Sequence, residues 1–146
     1  MERILVGLQP GESKLWAGIH ALNLAKRINA EVSFLLVMEP GNDPEEDGLK
    51  ERQQGSMMKS LGPLIEQGRS EGIRVDYYVT HGKVESELVR FIRENKITML
   101  VVGSSFDPKD SSGIFGDLLE KIRHRIDCRI EVVYEKDRKA ALKRRR

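Results

Sequence analysis

Five short apolar runs alternating with four stretches of helical periodicity constrain this chain more than any other feature. Ile4 to Leu8, Val32 to Val37, Ile73 to Thr80, Thr98 to Val102 and Ile130 to Tyr134 read as strands, the first closed by Pro10 and Gly11 and the second by Pro40. Between the first two, Leu15, Ile19, Leu22, Ala25 and Ile28 recur at helical spacing behind an expected N-cap at Ser13. Residues 39–48 read as a polar, acidic loop. A second helix is expected over residues 49–70, weakened by Gly55 and Gly62 and kinked at Pro63. Val84, Leu88, Phe91 and Ile92 mark a third helix, and Phe115, Leu118, Leu119, Ile122 and Ile126 a fourth. Each crossover helix must bury its stripe on the strands, so the alternation calls for an α/β fold with a five-stranded parallel sheet covered on both faces. Right-handed crossovers leave few topologies for it.

A length of 146 residues suits one domain with a core large enough to fold alone. Cys128 is the single cysteine, which excludes an intrachain disulfide framework and fits a reducing compartment. The absence of a signal peptide and of an apolar run near 20 residues leads to the expectation of a cytoplasmic protein. Charge is unevenly distributed. The last twelve residues carry seven Lys/Arg against two acids, so the chain's +2 conceals a body of −3. The reading is a domain over 1–135 and a basic tail over 136–146 that could contact an anionic surface.

The stretch Met99-Leu-Val-Val-Gly-Ser-Ser105 runs a buried strand into Gly and Ser, the usual start of a backbone anion site. Three residues past Gly103, where a second glycine would allow close approach to a ligand, stands Phe106. Ten further on is Gly116, followed by Asp117 rather than a hydroxyl.

Together with the opening Ile4-Leu-Val-Gly-Leu-Gln-Pro-Gly-Glu12, this stretch resembles the universal stress protein family over nearly the whole chain. The family's first strand ends in an Asp-Gly-Ser-like triplet, here Gln9-Pro10-Gly11; its fourth leads into Gly-x2-Gly-x9-Gly-(Ser/Thr/Asn), here Gly103-x2-Phe106-x9-Gly116-Asp117. Spacing is kept while most contact identities change. The resemblance implies strand order 3-2-1-4-5, as in adenine nucleotide alpha hydrolase-like folds, and a ligand crevice where the order reverses, between the first and fourth strands. In family members that hold ATP, the first strand's carboxylate contacts the adenosine part, while glycine amides and the final hydroxyl hold phosphates. The candidate crevice residues are therefore Gln9, Gly11, Val37, Gly103, Ser104, Phe106, Gly116 and Asp117. Gln9 can still donate and accept hydrogen bonds. Phe106 adds a ring where backbone must come close, and Asp117 adds a carboxylate near the expected phosphate position. Two anions about 4 Å apart repel by ~1 kcal/mol in water and roughly 4 at a protein surface. Asp117 also fits a plain helix-starting role, satisfying free amides and complementing the macrodipole.

Other eye-catching residues reduce to ordinary roles. Asp43, Glu45, Glu46 and Asp47 lack calcium-loop spacing and read as solvated loop. His20 and His124 on helices and His81 after the third strand have no metal-ligand spacing. Lys109-Asp-Ser-Ser112 lacks the partner motif of a nucleotidyltransferase. Ser104, Ser105, Ser111 and Ser112 suit a small anion or a polar loop equally. Cys128 reads as a packed small residue. Two functions stay open: a noncatalytic regulatory or adaptor module with no expected cofactor and an unknown protein partner, or a sensor of ATP or AMP with slow or no hydrolysis. The resemblance also implies a homodimer through the last strand, Arg129 to Tyr134. An antiparallel axis at Ile130 would set Arg129 against the partner copy's Glu131 and an axis at Glu131 would oppose two carboxylates, whereas one at Val132 would favour apolar packing.

Overall fold

The register of the central strand organises the molecule. In the structure, a computed structural model that describes residues 1–10, 15–104 and 118–134, β1 (Arg3–Leu8) lies between β2 (Glu31–Met38) and β4 (Met99–Ser104). Ile4 pairs with Val32 on one side and with Met99 on the other, both parallel. With β3 (Val75–His81) beyond β2 and β5 (Arg129–Tyr134) beyond β4, the order is β3-β2-β1-β4-β5, all parallel. The expected α/β sheet and its order are both present.

Alternation along the strands feeds two cores. Ile4, Val6, Leu8, Val32, Phe34, Leu36, Met38, Met99 and Val101 face α1 (Trp16–Ile28) and α2 (Pro44–Ser70), whereas Leu5, Leu35, Val37, Leu100 and Val102 face α3 (Val84–Glu94) and the helical residues 118–123. Burial of both faces explains why β1, β2 and β4 are apolar almost without interruption. On the first face, α1 buries Ala17, Gly18, Ala21, Leu22 and Ala25. The stripe read from the sequence is thus offset: Ile19 is only half-buried and Ile28 is 39% exposed. Small side chains set the offset, because they let the helix backbone approach the sheet. A Cβ on Gly18 would come to 2.9 Å from Phe34 Cε1.

α2 corrects the sequence reading of residues 39–48. The helix begins at Pro44, inside the expected acidic loop, and runs through Gly55, Gly62 and Pro63 to Ser70. Its start is chemically specified: Asp43 is the N-cap and accepts from Glu46 N at 2.8 Å, and Pro44 takes the first helical turn, where its missing N–H is harmless. Glu46 Oε2 accepts from Asn42 N and Asp47 Oδ1 from Gly41 N, both at 2.7 Å. The acidic run therefore ties the preceding turn to the helix. Other boundaries shift by one or two residues: β3 starts at Val75 and contains His81, and β4 continues through Gly103 and Ser104. Ile126 falls past the helical residues 118–123. Leu15 occupies the N-cap position of α1, and Ser13, like Phe115, lies outside the described residues.

Candidate functional site

At the carboxyl ends of the strands the register brings four of the expected residues together. Pairing of Gly7 with Val102 and of Leu8 with Leu36 sets the ends of β1, β4 and β2 side by side. Gln9, the first residue past β1, therefore flanks Val37 on one side and Gly103 and Ser104 on the other. This is the point where strand order reverses, and in open α/β sheets the crevice there is where ligands sit. Gly11, Phe106, Gly116 and Asp117 lie outside the described residues, as do Ser105, Lys109, Ser111, Ser112 and the tail over 136–146.

The described residues differ in what they can offer. Val37 is 1% exposed and packs its side chain with Leu5, Val84 and Leu88, so only its backbone can face a ligand. Gln9 is half-buried. Gly103 and Ser104 belong to β4, paired with Val133 and Tyr134, and not to the loop that follows. A Cβ on Gly103 would meet Ala17 Cβ at 3.5 Å, an ordinary contact, and its φ is not positive. Packing against the described residues does not account for a glycine at 103.

The same end of the sheet carries a residue that the sequence reading passed over. Glu39 directly follows β2, and its Oε1 accepts from Val84 N at 2.8 Å, closing the first turn of α3 across 45 residues of sequence. Its carbonyl accepts from Lys50 Nζ at 2.9 Å, while Met38 O accepts from Gly82 N at 3.1 Å. Beneath this turn, Glu87 is 9% exposed and bonded to Thr80 Oγ1 and Arg90 Nη2. The amide ends of α2 and α3, both potential anion sites, are thus each occupied by a carboxylate of the chain itself. No local motif signals the Glu39 contact, because its partner is distant in sequence.

Away from the crevice, His20 Nε2 lies 2.6 Å from Glu131 Oε2, joining α1 to β5, and His81 and His124 are exposed. Burial pushes up the pKa values of the Tyr77 phenol and the Cys128 thiol, the latter half-buried just before β5. Among the described residues no group of three or more His, Cys, Asp or Glu could hold a metal ion, and no helix is long and apolar enough to cross a membrane.

A five-stranded parallel sheet in this order, with helices on both faces, is a doubly wound α/β fold with the arrangement seen in adenine nucleotide alpha hydrolase-like folds. Within it the assignment is narrower. The model of the universal stress protein family matches residues 1–133, and the chain belongs to that family. A universal stress protein family structure from Burkholderia pseudomallei superposes with a TM-score of 0.67 at 18% identity, covering 90% of this chain and 95% of that one. One from Arabidopsis thaliana with AMP bound gives 0.63 at 14%, covering 92% of each chain. One from Archaeoglobus fulgidus in complex with dAMP gives 0.60 at 15%, covering 91% and 98%. At these identities the likeness establishes the fold. No curated protein matches the chain.

Proposed function

We propose that this member of the family is a regulatory or adaptor module that acts by binding rather than catalysis and does not hold ATP tightly. The observation that carries this reading is Asp117, a carboxylate where the family's phosphate loop has a hydroxyl. It removes a donor and adds negative charge where a polyphosphate would need the reverse. Gln9 in place of the first strand's carboxylate and Phe106 in place of a glycine support the same reading, as does Glu39, whose carboxylate takes the amide end of α3 at the same end of the sheet. In this account the domain spans 1–135, works in the cytoplasm as a homodimer through Arg129 to Tyr134, and presents the basic tail over 136–146 to an acidic partner.

The second reading is an adenine nucleotide sensor with slow or no hydrolysis. It draws on Gly103 and Gly116 at the family spacing and on the AMP and dAMP held by the Arabidopsis and Archaeoglobus structures. Both ligands carry a single phosphate. Native mass spectrometry of protein purified without added nucleotide separates the readings: the first expects the mass of the bare chain or of a ligand other than an adenine nucleotide, and co-purified ATP or AMP overturns it in favour of the second.

A further inference from the structure

Three helices in this fold end by one device. Ala30 N reaches back to Ala25 O, Ile73 N to Gly68 O and Ile97 N to Ile92 O, each at 3.0 Å. The residue before each of these amides is left-handed: Asn29 at φ 57°, Gly72 at φ 87° and Lys96 at φ 52°. Glycine and asparagine are the residues this ending favours, because a Cβ is crowded there. Lys96 is the departure, since a side chain at that φ is strained.

Lys96 lines an open hollow of about 390 Å³ at the amino ends of β4 and β5, opposite the crevice. Inside it Ile92 and Ile97 are 5% and 7% exposed and Ile126 is half-buried, while Arg93, Lys96 and Arg125 are exposed around them. Arg93 Nη2 donates to Arg125 O at 2.8 Å, and Arg125 Nη1 pairs with Glu85 Oε1 at 3.0 Å. Lys96 has no ion pair among the described residues. Asp127 supplies the one carboxylate of the lining, and the Cys128 thiol, its pKa pushed up by burial, stays neutral near pH 7. Complementing the dipole of α3 does not require this lysine, since Arg93 already stands in the last turn. Apolar side chains at the floor of a hollow with charged groups around them can orient a small amphiphilic molecule.

We propose that this hollow binds a small aliphatic monocarboxylate, its chain against Ile92, Ile97 and Ile126 and its carboxylate held by Lys96 and Arg93. The site is independent of the crevice and of what the crevice holds. The test is a titration of the full chain with octanoate, followed by amide chemical shifts, beside acetate, 1-octanol and inorganic phosphate. Octanoate should saturate with shifts centred on residues 92–98 and 125–128, at least about tenfold tighter than the other three, a difference of ~1.4 kcal/mol. ATP should not displace it. Lys96→Gly should weaken octanoate by about tenfold while the melting temperature holds or rises, since glycine relieves the left-handed backbone. Absence of saturable octanoate shifts, equal or tighter binding of phosphate, or unchanged octanoate binding by Lys96→Gly would each overturn the proposal.

Discussion

Gly82, in the turn at the carboxyl end of β3, holds a backbone conformation that side chains rarely adopt. Its φ of 148° lies where a side chain is strained, and a Cβ would meet Glu87 Oε2 at 3.0 Å. That oxygen belongs to a carboxylate locked against Thr80 and Arg90, so it cannot retreat freely. Gly82→Ala should lower unfolding stability by about 1–3 kcal/mol, read as a fall in the urea midpoint at constant slope; an unchanged midpoint would show that the turn between β3 and α3 adapts. Cys128 offers a chemical readout of the same kind. Burial raises its pKa, so at any given pH the folded protein carries less thiolate than a free cysteine. Alkylation by iodoacetamide should be slower than that of glutathione at pH 7.5, with its rate climbing at higher pH than glutathione's. Equal rates and equal pH profiles would contradict the burial.

The helices divide their glycines by what surrounds them. Gly18 sits under Phe34 and Leu64, whereas Gly55 and Gly62 in α2 have nothing among the described residues within 4 Å of a Cβ. Gly55→Ala and Gly62→Ala should therefore each stabilise by about 0.5–1 kcal/mol through backbone entropy alone, seen as a higher melting temperature in calorimetry; a loss of stability from either would mean α2 departs from a regular helix there. The same element shows what sequence can convey. Strands β1, β2 and β4 were legible because both their faces are buried and the runs are almost wholly apolar. The start of α2 was not, since its first turns bury nothing and the earliest buried residue is Met57. The Asp43-Pro44-Glu45-Glu46 signature was present, yet three acids and a proline without an apolar period read equally as loop. Gln9, Val37, Gly103 and Ser104 lie together at one end of the sheet, a juxtaposition that strand ends and topology alone imply. Glu39 was missed because a cap made across 45 residues depends on how α3 returns to the sheet.

The whole molecule leaves β5 at an edge of the sheet, and the proposed dimer would cover it. Arg129 and Glu131, which the Ile130-centred register would pair between copies, each have a partner within the chain: Glu2 at 3.4 Å and His20 at 2.6 Å. The proposed association would thus draw on side chains already held in place. Glu131→Arg should loosen the dimer in sedimentation velocity, and Arg129→Glu with Glu131→Arg should restore it; identical profiles for all three proteins would exclude that register. The central claim concerns the carboxyl end of the sheet, where Glu39 closes α3 and the family spacing from Gly103 to Gly116 is kept while Phe106 and Asp117 replace the phosphate-contacting identities. Calorimetric titration of ATP into nucleotide-free protein, beside Phe106→Gly with Asp117→Ser, tests it most directly. The account predicts binding weaker than high micromolar for the native chain and a gain of at least about fivefold for the double variant, the lower bound set by ~1 kcal/mol of relieved repulsion. Low-micromolar binding of ATP by the native chain would contradict it.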